Sequence, residues 1–365
     1  MVMDNLEDIR KQIDAIDAQM APLFEQRMEL SRRIGAYKRT FGLELRDIAR
    51  EEEIVRRGAR RIQDCDIREY YVSFQKEVIS LSYDWQRRLN AGMKVAYSGV
   101  PGAFAYIAAK RLFPGAELIA YPDFAQAYRA CESGEADVTV LPFENSFAGE
   151  VSSVTDLMFA GSLYVNQVIE VEAEQFLLGL PGADKTQIRK VYSHPQALTQ
   201  CAEYIHAHGL EAIEAANTAL AARRVAEMQD PSCAAIGAAE AAELYGLQVL
   251  EQRINTSRTN TTRFAAFSRM LRLDTVNKRK MGKHFILMYT VKNEAGALAQ
   301  TLNIIGAHNF NMCNLHSRPM KELLWNYYFY VELDGDVATD EGSSMLHELG
   351  PLCDRLKLVG SFYTH

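Results

Sequence analysis

Residues 6–38 read LEDIRKQIDAIDAQMAPLFEQRMELSRRIGAYK. From Leu6 the apolar positions recur at Ile9, Ile13, Ile16, Met20, Leu23, Leu30, Ile34 and Tyr37, and a spacing of threes and fours predicts one long helix with one apolar seam. The rhythm places residue 27 in that seam, and residue 27 is Arg27. A charge at a core-facing position is costly unless it meets a partner or a ligand, so its phase favours a binding role over a surface arginine. Lys38 lies 11 residues on, about three helical turns, and projects from the same face. Both can reach one anion. Arg10 precedes Arg27 by 17 residues, which puts it about 25 Å away along the axis and about 100° round the helix. If Arg10 contributes, a second copy of the chain must bring it in, and an intertwined dimer is the expected architecture. Pro22, inside the pattern, predicts a kink.

Working outward, 365 residues are too many for one ordinary core and suggest three domains. With 48% hydrophobic and 24% charged residues the chain has the balance of a globular protein. The formal charge is −7; residues 1–90 carry 17 basic against 17 acidic side chains, so the acidic excess lies downstream and nucleic acid is a poor partner. The six cysteines are scattered, without a CxxC pair or a histidine at metal-ligand spacing, so a reduced cytoplasm is expected and no metal or cofactor. No apolar run approaches the roughly 18 residues of a membrane span, and MVMDNLEDIR is polar and acidic where a signal peptide is expected to be basic and then apolar.

After a break at Thr40 to Gly42, Asp47, Arg50 and Glu51 share one face of a second predicted helix, and Ser82 and Gln86 share one face of a third, about 67–89. Singly, such groups are commonly a solvated polar patch. As a set they resemble the all-helical class of chorismate mutase over residues 4–90, on Arg10, Arg27, Lys38, Asp47, Arg50, Glu51, Ser82 and Gln86. The resemblance implies that Arg10 reaches into the partner's site. It also implies that Arg10 and Arg27 clamp the two substrate carboxylates, Lys38 and Gln86 meet the ether oxygen, and Glu51 holds a hydroxyl. The rearrangement is pericyclic, so preorganised cations suffice without a nucleophile.

At Met93 the texture changes. A short strand, 94–97, leads into the glycine-rich turn Ser98–Phe104 and a helix at 105–112, suited to an anion at the helix amino terminus but equally a plain tight turn. Strands at 136–142, 176–180 and 191–193 alternate with helices at 123–133, 194–206 and 218–227, predicting two α/β lobes with ligand sites beyond the strands' carboxyl ends. Polar clusters fall there: Glu144-Asn145-Ser146, Ser193-His194-Pro195-Gln196, and Asn260 to Phe264. Each alone reads as turn or capping chemistry. Together, Pro142 to Ser146, Ser193 to Leu198, Asn217-Thr218-Ala219 and Thr262-Arg263-Phe264 resemble prephenate dehydratase over residues 93–270. The resemblance implies two lobes like those of periplasmic binding proteins, with prephenate in the cleft. Thr262 is the expected proton donor to the leaving hydroxyl, with Glu144, Asn145, Ser146, Ser193, Gln196, Asn217, Arg263 and Phe264 as substrate contacts; Arg263 is either a carboxylate anchor or a structural residue. Ala105 stands where the family commonly carries a hydroxyl.

Residues 271–282 form a polar linker. Beyond them, strand 284–291, helix 297–307, strands 310–317 and 325–333, helix 341–349 and strand 357–363 predict a ferredoxin-like βαββαβ unit over 283–365. It resembles an ACT domain on Gly296-Ala297-Leu298 and Ser317-Arg318-Pro319, which implies an allosteric phenylalanine site between paired domains. His316 stands where fused enzymes normally have glutamate, so feedback inhibition with altered affinity or pH dependence is expected. The tandem resembles the bifunctional chorismate mutase/prephenate dehydratase family, and implies a homodimer or tetramer acting on chorismate and prephenate. Two other readings are weighed beside it: a dehydratase whose helices only dimerise it, and a non-enzymatic amino-acid-binding regulator using the same cleft.

Overall fold

The computed structural model describes residues 5–256, 260–272, 282–320 and 327–363. They form two compact units, residues 1–93 and 94–365.

The first unit is three helices, α1 (Leu6–Thr40), α2 (Ile48–Ala59) and α3 (Arg68–Ala91). Asn5 caps α1 by accepting from the Glu7 amide, and Asp47 caps α2 by accepting from the Arg50 amide. α1 runs through Pro22 as one 35-residue helix, about 52 Å long. The seam reading needs correction. The residues α1 buries are Ser31 and Gly35, and half-buried Arg27 and Lys38 share their face. Ile9, Ile13, Ile16, Leu23, Leu30 and Ile34, the expected core side, are exposed. Periodicity reports a stripe, not what covers it: α1 meets α3 on its polar face, leaving the apolar stripe unpartnered within one chain. Close approach of α1 and α3 depends on Gly35, where an added Cβ would stand 3.1 Å from Asn90 Nδ2 and Gln86 Cγ.

In the second unit, β1 (Lys94–Ser98), α4 (Phe104–Leu112), β2 (Glu117–Tyr121), α5 (Phe124–Glu132), β3 (Val138–Asn145), β4 (Gly149–Glu150), α6 (Ser152–Ala160) and β5 (Tyr164–Glu172) build one lobe. A second lobe follows: β6 (Phe176–Gly179), β7 (Lys190–Ser193), α7 (Pro195–Gln200), α8 (Ala202–Ala207), β8 (Glu211–Glu214), α9 (Thr218–Met228), β9 (Cys233–Gly237), α10 (Ala239–Tyr245) and β10 (Gln248–Glu251). β11 (Thr261–Ser268) returns to the first lobe between β3 and β5, antiparallel to both. The expected single helix over 194–206 is instead α7 and α8, divided at Cys201, whose amide reaches back to Ala197 and Leu198.

The rest is β12 (Lys283–Val291), α11 (Ala297–Ala307), β13 (Asn311–Pro319), β14 (Tyr327–Asp334), α12 (Asp340–Leu349) and β15 (Cys353–Tyr363). Of the expected strand 325–333, Trp325 and Asn326 lie outside the described residues, as do 273–281 of the linker. The four strands lie in the order β13-β14-β12-β15, and β15 runs on beside β5 in one 10-stranded sheet, with Gly360 opposite Val165. A Cβ on Gly360 would strike the Val165 carbonyl, so glycine is what lets the two sheets join. One sheet face packs Phe285, Leu287 and Tyr289 under α11 and α12. The other packs Ile286, Met288, Tyr328 and Tyr330 into the first lobe's core.

Candidate active sites

In the helical unit, the Arg27 guanidinium donates to Ser82 Oγ and, at 3.2 Å, to the Val78 carbonyl. Lys38 Nζ donates to the Leu45 carbonyl at 2.6 Å. Among the described residues neither cation has a carboxylate partner. Burial pulls Arg27 below the usual arginine range, the signature of a cation short of counter-charge. Gln86 sits one turn along α3 from Ser82, 9% exposed, with Oε1 buried and unpartnered. Arg27, Ser82, Gln86 and Lys38 therefore gather on the α1–α3 face, with Gly35 between. Asp47 serves as a cap, Arg50 pairs with Glu53, Glu51 lies 3.5 Å from Arg46, and Arg10 stays exposed at the far end of α1. Among the described residues these two half-buried cations have no anion, and with the unsatisfied amide they have the capacity to pair with a small dianion.

In the two-lobed unit, Thr262 and Asn145 are paired across β11 and β3, and Asn145 Nδ2 donates to Thr262 Oγ1 at 2.9 Å and to Asn260 Oδ1 at 2.8 Å. Asn145 Oδ1 accepts from the Phe147 and Ala148 amides, which fixes the orientation of its side-chain amide. Ser146 Oγ accepts from the Thr261 amide at 2.9 Å, locking the same corner. Thr262 is thus held opposite the carboxyl end of β3, and among the described residues its hydroxyl is seen only as an acceptor.

The other predicted contacts lie on the second lobe, except Phe264 on β11. Ser193 Oγ, fully buried, donates to the Ile236 carbonyl at 2.6 Å. His194 caps α7 by accepting from the Gln196 amide, while Gln196 itself is exposed. Asn217 caps α9, and Phe264 is 2% exposed in the core. The glycine-rich turn crosses to the second lobe: Tyr245 Oη donates to the Pro101 carbonyl at 2.8 Å, and Arg111 pairs with Glu240 at 2.7 Å.

Arg263 is engaged by two carboxylates of the chain itself. Its guanidinium donates to Glu144 and makes two bonds to Glu332 on β14, at 1% exposure. Burial alone would lower it, but the bonds to Glu332 and Glu144 raise it above the usual arginine range. Glu144 in turn accepts from Asn314 Nδ2 at 2.9 Å. Glu332 and Asn314 were not among the sequence candidates, because nothing local marks a strand acid as a partner for a residue far upstream. Arg318 likewise donates to Glu150 and Asp156 of the first lobe. His316, with Nε2 unpartnered, lines a recess with Phe143, Glu144, Glu150, Asn314 and Tyr330. Gly296 is the amino-terminal cap of α11.

The chorismate mutase type II family model matches residues 9–87, and the prephenate dehydratase model matches residues 95–271. A bifunctional chorismate mutase/prephenate dehydratase of Neisseria gonorrhoeae is 31% identical over 97% of this chain and 96% of its own length. The chain belongs to the bifunctional chorismate mutase/prephenate dehydratase family. It has both activities, which are successive steps of phenylalanine biosynthesis. Among solved structures, a prephenate dehydratase from Arthrobacter aurescens in complex with L-Phe has 26% identity and a TM-score of 0.66, covering 74% of this chain and 90% of that one. A chain described as GqqA, a novel type of quorum-quenching acylase, has 29% identity and a TM-score of 0.68 over 74% of this chain and 98% of that one. No described helix of this bifunctional chain is long and apolar enough to cross a membrane.

Proposed function

We propose that the mutase reaction takes place on the α1–α3 face and the dehydratase reaction at Thr262, with residues 283–365 acting as an ACT-type phenylalanine sensor. The proposed domains are 1–90, 93–270 and 283–365, joined by 271–282. The carrying observation for the mutase is that Arg27 and Lys38 are half-buried cations whose partners among the described residues are neutral. Chorismate's carboxylates supply the missing charge, Lys38 and Gln86 meet the ether oxygen as its bond breaks, Glu51 takes a hydroxyl, and Arg10 arrives from a second copy. The dimer reading is supported by the exposed apolar stripe on α1.

In the dehydratase, the carboxylate carbon–carbon bond breaks to release CO₂, its electron pair enters the ring, and the ring hydroxyl leaves as water. Thr262 donates a hydrogen bond to the leaving hydroxyl, and a proton passed through it to complete the water is replaced on Oγ1 from solvent. The bond that Oγ1 accepts from Asn145 polarises the threonine hydroxyl and strengthens it as a donor. The cytoplasm is the proposed location. For the sensor, support comes from the βαββαβ order and from Arg318, which ties the Ser317–Pro319 end of β13 to Glu150 and Asp156. Phenylalanine held there acts directly on the dehydratase lobe.

The test gives the purified protein chorismate and follows chorismate loss and phenylpyruvate formation together, with and without phenylalanine. Both signals, with phenylpyruvate suppressed by phenylalanine, are expected. Prephenate accumulation without phenylpyruvate would overturn the dehydratase assignment, and no heat of phenylalanine binding by calorimetry would overturn the sensor.

A further inference from the structure

We propose that His284, Cys313 and Asp334 form a binding site for a borderline transition-metal dication of the zinc class on the C-terminal sheet. The three residues come from three strands and are 29 and 21 residues apart along the chain, so no sequence motif announces them. His284 on β12 and Asp334 on β14 are direct antiparallel partners and share a face. β13 shifts register between Met312 and Asn314, which makes Cys313 the extra residue of a bulge. A bulge re-aims a side chain that a regular strand would point elsewhere. Here it brings the Cys313 thiol over the His284–Asp334 pair.

The donor geometry suits an ion. Asp334 Oδ1 lies 3.2 Å from His284 Nδ1 and 2.8 Å from Cys313 Sγ, and Sγ lies 3.9 Å from Nδ1. Zinc bonds of about 2.0–2.3 Å at tetrahedral angles place donor atoms about 3.3–3.6 Å apart, so sub-ångström side-chain shifts convert this cluster into a coordination shell. One thiolate, one imidazole and one carboxylate select zinc-class ions over calcium or magnesium, which take oxygen donors. The thiol proton leaves to solvent on binding. Glu332 Oε1 stands 3.4 Å from the same imidazole nitrogen but is engaged by Arg263, so it adds negative charge while the fourth position takes water. The other cluster of this kind among the described residues, Asp64, Cys65 and Asp66, is three consecutive exposed residues without a rigid frame.

The experiment uses the full-length reduced protein, freed of metal by a chelator and titrated with Co²⁺ as an optical probe, then with Zn²⁺. Expected are one cobalt per chain, a near-ultraviolet thiolate-to-cobalt charge-transfer band, visible bands of tetrahedral intensity, and displacement by Zn²⁺. Cys313→Ser should abolish the charge-transfer band, Cys65→Ser should leave it intact, and His284→Gln should weaken binding about 10-fold or more. Unchanged circular dichroism and mutase rate in Cys313→Ser show that the fold survives. Absence of the band at one equivalent, or its persistence in Cys313→Ser, would overturn the site and leave a hydrogen-bonded cluster in its place.

Discussion

Arg263 and Glu332 grip each other through two bonds, Nη2 to Oε1 at 2.7 Å and Nη1 to Oε2 at 2.9 Å, across 69 residues of sequence. Arg263 immediately follows Thr262, and Glu332 is nearly inaccessible on β14, so the C-terminal sheet holds the strand end that carries the proposed proton donor. Glu332→Gln keeps the shape and removes the charge that balances Arg263. Breaking one partner out of a buried pair costs about 3–5 kcal/mol. The expected result is a lower melting temperature and a lower dehydratase kcat with an unchanged mutase rate in the same preparation. Equal dehydratase rates in variant and parent would show that β11 keeps its register without this clamp.

Asn145 and Thr262 act as one unit if the hydrogen bond between them activates the hydroxyl. Thr262→Ala is then expected to lower dehydratase kcat by about 10²–10⁴-fold with prephenate binding retained. Asn145→Ala should cost about 10-fold or more. The decisive measurement is the double variant, which should be no slower than Thr262→Ala alone, because groups acting together lose their effect once. Multiplying losses would mean that Asn145 contacts substrate independently.

What the sequence made legible follows the range of the interactions. The order of elements in the C-terminal unit and the span of α1 rest on local periodicity and caps, and could be read nearly to the residue, as with α11 at Ala297–Ala307. The face of α1 that meets α3 could not, because Ile13 and Ile34 announce a stripe without saying which chain covers it. The motif around Asn145 and Thr262 carried its own signal, since both strand ends are rich in polar groups where strands usually bury apolar ones. Glu332 carried none: a glutamate between Val331 and Leu333 in a strand reads as an outward charge. Only the pairing of β14 with β12 and β13, and the crossing of Arg263 behind them, turns it inward. Cys313, His284 and Asp334 were invisible for the same reason.

His308 gives a pH-dependent contribution to the C-terminal unit. Its Nδ1 faces Glu341 at 2.6 Å and its Nε2 faces Glu348 at 3.2 Å, so it joins the end of α11 to α12. The bond to Glu341, and then Glu348, raise its folded pKa above the usual 6.5 despite desolvation. A histidine raised in the folded state adds stability that is fully present below its unfolded pKa and is lost as pH rises through the folded value. Between about pH 6 and 8, therefore, the melting temperature of the parent should fall more than that of His308→Gln. Parallel curves for the two proteins would remove this clamp from the account.

In the proposed dimer, the exposed stripe on α1 is the contact between copies and, through it, a support of the mutase site. Ile9, Ile13, Ile16, Met20 and Leu23 lie in solvent in the single chain, on the half of the helix that precedes the Arg27–Ser82 contact with α3. Covering such side chains stabilises an assembly by about 1.5–3 kcal/mol each, so the stripe as a whole can hold two copies together. Arg10 sits on the same half of the helix and too far from Arg27 to serve its own site. Ile16→Glu should therefore lower the mass measured by light scattering and remove mutase activity, while dehydratase activity, whose residues lie in the second unit, persists. Arg10→Ala should remove mutase activity without changing the mass. If Ile16→Glu yields smaller particles with full mutase activity, each chain completes its own site and Arg10 takes no part in it.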